Sequence, residues 1–196
     1  MLDLKKVGIT GGLSSGKTTV CQFFKKLGAY VVSADEIVHK LLSPNTPIGQ
    51  EVIRLLGEEI LREDRIDRAQ VAKQVFENKE KLKLLEKILH PAVLKEIEEE
   101  FNQVKNQENY SLFVAEVPLL YESEGHDQFD TVVAVVADRP IAKRRFKSSE
   151  EEFEMRMTHQ LTPEEKSGKA DYTISNDQDL PALERQVAQL YSQLTQ

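Results

Sequence analysis

The sequence has 196 residues, of which 40% are hydrophobic and 30% charged, with a net charge of −7 and a pI of about 5.3. This composition predicts a globular protein and argues against a broad nucleic-acid-binding face. The lone cysteine, Cys21, excludes an intrachain disulfide, and no stretch is long and apolar enough to predict a signal peptide or a membrane span, so we expect a cytoplasmic protein.

The first elements of the chain predict a βαβ unit built around a glycine-rich turn. Residues 6–10 form a short apolar run that predicts a buried strand, and residues 29–33 predict a second strand. Between them, one apolar helix face ends at Gly28 and consists of Val20, Phe23, Phe24 and Leu27. A βαβ unit favours a parallel sheet in an α/β fold.

Residues 36–105 differ from this unit because helical periodicity continues almost throughout. Turn-forming residues 43–47 end a first helix, Gly57 ends a second, and Asp67 can cap a third. Pro91 is expected to break or kink a fourth helix. We expect no strand in this stretch, which therefore predicts a helical insert within an α/β domain.

Strand patterns return in the last part of the chain. Residues 111–117 and 131–137 are nearly all apolar, as expected for strands buried on both faces, and residues 171–175 are a shorter candidate. Residues 139–165 are rich in charge and poor in large apolar side chains, which predicts a mobile, solvated helical segment. Residues 181–194 predict a last helix.

Residues 11–18 match the phosphate-loop pattern G-x-x-x-x-G-K-[ST]. Glycines let backbone N–H groups surround a β-phosphate, and the start of the following helix adds its positive dipole end. Lys17 is expected to reach the β- and γ-phosphates, and the Thr18 hydroxyl to ligate Mg²⁺. The predicted strand before the loop and helix after it favour this function over a turn that merely packs. The predicted nucleotide-binding residues are Gly11, Gly12, Leu13, Ser14, Ser15, Gly16, Lys17, Thr18 and Thr19.

The motifs of GTP switches are missing from the sequence, since NKEK at Asn78 lacks the aspartate of N-K-x-D and no D-x-x-G loop is present. A short chain with a helical insert and a basic segment instead suggests a small-molecule kinase. A nucleoside or nucleotide kinase with another acceptor, and a P-loop regulator that binds or hydrolyses nucleotide, are the alternatives.

Two acidic residues follow predicted strands at the sheet edge where α/β proteins bind ligands. Asp35 could accept the proton of an attacking hydroxyl, or it could belong to a capping box over residues 33–36 and act only on the helix dipole. Glu116 could hold a Mg²⁺-bound water, or it could be a strand-end carboxylate in solvent. The sequence alone leaves both alternatives open.

A run of basic residues stands out in this acidic chain, and it consists of Arg139, Lys143, Arg144, Arg145 and Lys147. An arginine over a transferring phosphoryl group offsets the charge that develops there, whereas the alternative is a solvated helix face. His90, directly before Pro91, is more often a packed or capped histidine than a ligand-binding one.

Several stretches together resemble the dephospho-CoA kinase family, and the resemblance covers nearly the whole chain. These stretches are GITGGLSSGKTTV, GAYVVSADEIVHKLL, IDRAQVAKQVF, LEKILHPAV, VPLLYE, RMTHQ and ADYTISND. Positions typical of the family fall on Asp35, Arg68, His90, Pro91, Arg156, Gln160, Ala170, Asp171 and Asn176. The phosphate loop alone is shared by many kinases, but the ordered set is specific.

The resemblance implies a three-layer α/β P-loop NTPase fold with a parallel sheet, similar to that of nucleoside monophosphate kinases. It implies a single kinase domain over residues 1–196, with a core over 1–38 and 110–196, a helical substrate-binding insert over 39–109 and a lid over about 139–165. It also implies that the protein transfers the γ-phosphate of ATP, with Mg²⁺, to the ribose 3′-hydroxyl of dephospho-CoA.

Together, the motifs and the resemblance predict catalytic roles for Asp35, Lys17 and a lid arginine, Arg144 or Arg145. They predict acceptor binding for Asp35, Arg68 and His90, nucleotide binding for Asn176, and metal binding for Thr18 and Glu116. No nucleic-acid or membrane partner is expected, and the protein is expected to be a monomer or a weak homo-oligomer.

The lid departs from the family pattern, which usually has two arginines spaced along it. Here the segment is shorter and reads SSEEEFE where basic residues are usual. The sequence therefore leaves open whether Arg144 or Arg145 faces the phosphate and whether Arg156 replaces a missing second arginine.

Overall fold

A computed structural model of the chain describes residues 4–196. In chain order, the elements are β1 (Lys5–Gly11), α1 (Lys17–Lys26), β2 (Tyr30–Ser33), α2 (Ala34–Leu41), α3 (Pro47–Leu56), β3 (Leu61–Arg62), β4 (Arg65–Ile66), α4 (Arg68–Phe76), α5 (Lys79–Val104), β5 (Leu112–Glu116), β6 (Thr131–Val136), α6 (Arg139–Arg145), α7 (Glu150–Met157), α8 (Pro163–Lys169), β7 (Tyr172–Ser175) and α9 (Leu180–Leu194). Within these described residues, no helix is both long and apolar enough to cross a membrane.

The main sheet contains five strands in the order β2-β5-β1-β6-β7, and every neighbouring pair is parallel. Val7 in the central strand pairs with Val114 of β5 on one side and with Thr131 of β6 on the other. The carboxyl ends of all five strands therefore meet at one edge of the sheet, where ligands bind in open α/β folds. The predicted parallel α/β sheet is confirmed.

Helices cover both faces of this sheet. On one face, alternate residues of β1, β5 and β6 pack against α1 and α9 to form a buried apolar cluster. Its fully buried members include Val7, Ile9, Val20, Phe24, Leu112, Val114, Val133, Val135 and Val187. On the other face, Phe113 contacts the Phe101 ring edge-on at the end of α5, and α8 packs on β1 and β6. Covered faces explain why the strands are almost continuously apolar.

The chain divides into two compact units. The first comprises the residues up to Ser33 together with Glu100–Gln196, and it holds the five-stranded sheet. The second comprises Ala34–Glu99 and has its own apolar core, whose buried residues are Leu42, Val52, Leu56, Ile60, Ile66, Val71, Val75 and Leu85. Asp67 caps α4 as expected, since its carboxylate accepts hydrogen bonds from the Ala69 and Gln70 amides.

The second unit corrects the expectation that residues 36–105 lack strands. Leu61–Arg62 and Arg65–Ile66 form a short antiparallel hairpin. The two residues of its turn, Glu63 and Asp64, have φ values of 48° and 56°, as in the turns that join tightly paired strands. Two-residue strands are too short to show alternation, and this turn lacks the glycine that usually marks such a hairpin.

Two local expectations about helices need correction. Pro91 does not break α5, which continues from Lys79 to Val104 with buried residues such as Leu85 and Val93 on both sides of the proline. Leu27, expected on the buried face of α1, is 39% exposed because the helix ends at Lys26.

Candidate active site

The phosphate loop joins β1 to α1 in the first unit. Its geometry requires glycine at two positions, Gly11 with a φ of 144° and Gly16 with a φ of 96°. A Cβ atom on Gly11 would lie 2.0 Å from the carbonyl oxygen of Val135 in the neighbouring strand. The loop is therefore held close against β6, and only a residue without a side chain fits there.

Lys17 is the first residue of α1 and is buried. Its ammonium donates hydrogen bonds to the carbonyl oxygens of Gly11, at 3.2 Å, and Gly12, at 2.7 Å. The first turn of α1 contains no acidic residue, and the Gly16 N-cap has no side chain to satisfy the helix amides. A helix N-terminus and a lysine charge at one loop form a binding site for phosphate.

Glu116, the last residue of β5, lies beside the start of α1. The Thr18 hydroxyl donates a hydrogen bond of 2.9 Å to Glu116 Oε1. Glu116 is only 7% exposed, so the alternative of a strand-end carboxylate in solvent is wrong. The Ser15 hydroxyl oxygen is also buried, and within residues 4–196 it has no hydrogen-bond partner. Hydroxyl and carboxylate oxygens are the ligands that Mg²⁺ prefers.

The acidic and hydroxyl groups near the loop would not form a complete metal cage by themselves. Among the residues described, no group of three or more histidine, cysteine, aspartate or glutamate side chains could hold a metal ion. Mg²⁺ in kinase sites takes one or two carboxylates and completes its shell with waters and substrate phosphates. The Thr18 and Glu116 pair fits that mode of binding.

Cys21 lies one turn after Lys17 in α1 and is buried. Burial raises the pKa of its thiol well above the usual value, and the nearby Glu116 carboxylate acts in the same direction. Since only a thiolate is an effective nucleophile or metal ligand, Cys21 is a core residue in this protein.

Asn176 supports the phosphate loop from the end of β7. Its side-chain amide donates a hydrogen bond of 2.8 Å to the Ser15 carbonyl oxygen. The Asn176 carbonyl in turn accepts a hydrogen bond of 3.0 Å from the Arg145 guanidinium. The structure therefore places Asn176, identified from the resemblance alone, in direct contact with the phosphate loop.

Gly16→Ala tests this packing, because a Cβ atom there would lie 2.2 Å from the Asn176 amide nitrogen. We expect a loss of about 2–3 kcal/mol in the free energy of unfolding, from the left-handed backbone and the disturbed Asn176 bond, which lowers the Tm by about 4–12 °C. Gly168→Ala is the matched control, because no atom lies within 4 Å of its Cβ position in α8 and the Tm should stay or rise. Equal Tm values for both variants would contradict the predicted clash.

A cavity of about 320 Å³ adjoins the loop. Its lining includes Gly12 and Ser15 from the loop, Asp138 after β6, and Phe153 and Pro163 from α7 and α8. The cavity is thus bounded by the loop on one side and by the charged α6–α8 region on the other, which gives a ligand held at the loop room to extend.

Two cations of the predicted basic run pair with acidic residues that follow it. Arg139 pairs with Glu154 and Lys143 pairs with Glu150, while Arg156 pairs with a glutamate of its own helix. Arg144 is exposed and, within residues 4–196, makes no ion pair or side-chain hydrogen bond. The glutamates of SSEEEFE therefore bind neighbouring cations and leave Arg144 available.

The remaining predicted residues lie in the second unit. Asp35 is exposed in the first turn of α2, directly after β2 ends. Arg68 is the exposed first residue of α4, and its guanidinium lies 3.4 Å from Nδ1 of His39. His90 is partly buried on α5. An open cavity of about 620 Å³ between α3 and α5 is lined by apolar residues such as Leu55.

Comparison with known proteins identifies close relatives. The family model described as "CoaE: Dephospho-CoA kinase" matches residues 5–182. A dephospho-CoA kinase of Protochlamydia amoebophila is 50% identical over 99% of this chain and 98% of that protein. A crystal structure from Thermus thermophilus has a TM-score of 0.82 and 29% identity and covers 100% of both chains. Dephospho-CoA kinase from Campylobacter jejuni has a TM-score of 0.72 and 28% identity, and the match covers 97% of this chain and 96% of that one.

Proposed function

The chain belongs to the dephospho-CoA kinase family, and from this membership we propose how its residues carry out the reaction of that family. The enzyme transfers the γ-phosphate of ATP to the ribose 3′-hydroxyl of dephospho-CoA, which gives CoA and ADP and completes coenzyme A biosynthesis. The observation that carries this conclusion is the family match over residues 5–182, which includes an intact phosphate loop.

The nucleotide side of the reaction is proposed for the phosphate loop. The loop amides and the Lys17 ammonium bind the phosphates of ATP, and Asn176 holds the loop in shape through Ser15. When ATP binds, the Lys17 ammonium exchanges its hydrogen bonds to the Gly11 and Gly12 carbonyls for hydrogen bonds to phosphate oxygens. An anionic oxygen is a stronger acceptor than a carbonyl. The residues that close around ATP are proposed to run from Gly11 to Thr19.

Thr18 and Glu116 are proposed to hold Mg²⁺, with Glu116 acting directly or through a bound water. When bound, the ion neutralises charge on the β- and γ-phosphates. The Glu116 carboxylate is suited to this role because it is buried at the loop and already bonded to Thr18, which fixes the orientation of both oxygens.

Glu116→Gln should raise the Mg²⁺ concentration for half-maximal activity by about 10–100-fold, because a neutral amide oxygen holds the cation less strongly. The change keeps the size of the side chain and its ability to accept from Thr18. Glu184→Gln, an exposed site in α9, is the control and should leave the Mg²⁺ requirement unchanged. An unchanged Mg²⁺ titration for Glu116→Gln would remove this residue from the metal site.

The acceptor side is proposed for the second unit. Asp35 accepts the proton of the 3′-hydroxyl as that oxygen attacks the γ-phosphorus, and Arg68 and His90 bind the acceptor. The exposure of Asp35 supports this role, because an acceptor-side base must be accessible to substrate. Arg68 beside His39 offers a positive surface that suits a phosphorylated ligand.

Of the two lid arginines left open by the sequence, we propose Arg144 for the γ-phosphate. Arg145 already donates to the Asn176 carbonyl and is held at the loop, whereas Arg144 is exposed and makes no such bond within residues 4–196. Arg144 offsets the developing phosphoryl charge, and the segment over about 139–165 moves as a lid that excludes water from ATP.

We propose a core over residues 1–38 and 110–196 and an acceptor-binding insert over 39–109. A net charge of −7 supports a protein that acts without nucleic acid, and the single cysteine supports a reducing, cytoplasmic location. A monomer or a weak homo-oligomer is the proposed state.

An acceptor screen tests the proposed function. The protein is incubated with Mg·ATP and, separately, with dephospho-CoA, nucleosides, nucleoside monophosphates or no acceptor, and ADP is measured. ADP should form in quantity only with dephospho-CoA. Equal ADP formation without an acceptor would point to a nucleotide-hydrolysing regulator instead.

A further inference from the structure

Lys166 in α8 is a completely buried lysine outside the site described above, with 0% of its side chain exposed. Its ammonium donates to the Pro118 carbonyl oxygen at 2.7 Å and lies 3.0 Å from Glu122 Oε1. Burial lowers the pKa of Lys166, and the Glu122 carboxylate acts in the opposite direction. Desolvation of a buried ammonium costs several kcal/mol unless a partner compensates the charge. Glu122 is that partner for Lys166.

The Pro118 carbonyl connects Lys166 to the residue that precedes the phosphate loop. The same carbonyl oxygen accepts a hydrogen bond of 3.1 Å from the Thr10 hydroxyl. Thr10 lies in β1 directly before Gly11, where the loop begins. One oxygen atom therefore receives a donor from α8 and a donor from the start of the loop.

A second connection reaches the loop from the other side. The α8 helix begins at Pro163, and a Cβ atom on Gly12 would lie 3.1 Å from Pro163 Cγ. The residues just before α8 contact the same ion pair. The Leu161 amide donates to Glu122 Oε1 at 2.8 Å, and Gln160 Oε1 lies 3.4 Å from the Lys166 ammonium. The start of α8 is thereby fixed against the loop.

We propose that Lys166 is a positioning residue that holds the phosphate loop in its ATP-binding shape, through Pro118 and Thr10 on one side and through Pro163 and Gly12 on the other. The proposal rests on the proposed function in that the loop binds ATP. It gives a role to Glu122 and Gln160, two residues of the VPLLYE and RMTHQ stretches that the reaction itself does not use.

The ion pair between Lys166 and Glu122 is not explained by a contribution to folding stability alone. Glu122 Oε2 is buried, and within residues 4–196 it has no hydrogen-bond partner. Neutral side chains of similar size often replace a buried ion pair without loss of stability, whereas removal of one partner leaves an uncompensated charge. An effect on loop position can therefore be distinguished from an effect on stability by comparing a variant that lacks one charge of the pair with a variant that lacks both.

The experiment compares three variants of the whole protein: Lys166→Met, the double variant Lys166→Met/Glu122→Gln, and Lys169→Met, which removes an exposed lysine of the same helix. Calorimetry gives the Kd of Mg·ATP and the Kd of dephospho-CoA, each measured at least 10 °C below the Tm of the variant. The double variant keeps both side chains near their original size and leaves no single buried charge.

We expect Lys166→Met and the double variant to weaken Mg·ATP binding by about 10-fold or more, since loop amides displaced by a fraction of an ångström lose their phosphate contacts. The Kd of dephospho-CoA should change less than 3-fold in both, and Lys169→Met should match the wild type. An unchanged ATP Kd in the double variant, or equal losses for both ligands, would overturn the positioning role. Failure of the wild type to phosphorylate dephospho-CoA while it still binds ATP would instead overturn the proposed function and leave the ATP-binding comparison valid.

Discussion

Lys17→Ala is expected to reduce phosphoryl transfer by about 10³-fold or more, because it removes the charge that we propose to contact the transferring phosphoryl group in the transition state. The ammonium lies within the loop, bonded to the Gly11 and Gly12 carbonyls, so its removal also takes positive charge from the ground-state site. Steady-state kinetics should therefore show a lower kcat together with a higher KM for ATP.

Lys25→Ala, an exposed lysine of the same helix, is the matched control and should retain wild-type kinetics. A thermal melt of both variants separates a chemical effect from unfolding. If Lys17→Ala kept its Tm and still turned over within a few-fold of the wild type, the assignment of residues 11–18 as the ATP phosphate loop would be wrong.

Asp35→Asn is expected to lower kcat by about 10²–10⁴-fold, since general-base assistance contributes on that order and an amide cannot accept the proton. The KM for ATP should change little, because we assign Asp35 to the acceptor. The variant preserves the size of the side chain, and Asp35 is exposed, so the fold should be unaffected.

Glu36→Gln separates this role from the capping alternative. Asp35 and Glu36 both lie in the first turn of α2, where either charge favours the helix dipole by about 0.3–1 kcal/mol. If Asp35 only stabilised the helix dipole, both variants would lower the Tm slightly and both would keep the kcat of the wild type. A large loss of kcat in Asp35→Asn alone is the expected outcome.

Much of the first unit could be predicted because its signals are local. Apolar runs gave β1, β5 and β6 within a residue or two, and the phosphate-loop pattern placed Lys17 and Thr18 at the start of α1. The βαβ pattern predicted that the strands run parallel, but not their order, in which β5 lies between β1 and β2. The family resemblance supplied the acceptor, which no residue pattern could name.

Other features depend on contacts between residues that are far apart in the chain, and local sequence patterns do not predict such contacts. Glu116 bonds Thr18 across 98 positions of the chain, so only the folded structure could decide between burial and solvent exposure. Lys166 directly follows the segment over 139–165 that was expected to be solvated, yet it is buried, because its charge is matched by Glu122 from a distant loop. A buried lysine has the same local pattern as an exposed one.

The acidic flank of the lid illustrates a third limit. From the sequence, SSEEEFE left open whether a second lid arginine is missing, since glutamates stand where basic residues are usual. In the structure two of those glutamates pair with Arg139 and Lys143, so their charges are offset by residues of α6. Net charge in a segment therefore does not reveal which individual cation stays available.

Acceptor-dependent product formation tests the central claim most directly. The protein is incubated with Mg·[γ-³²P]ATP and either dephospho-CoA or its 3′-deoxy analogue, and labelled product and ADP are quantified together. The account predicts one labelled CoA for each ADP with dephospho-CoA, with the label on the 3′-oxygen, and no labelled product with the 3′-deoxy analogue. Label transfer to the analogue, or ADP formation that is equal with and without dephospho-CoA, would contradict it.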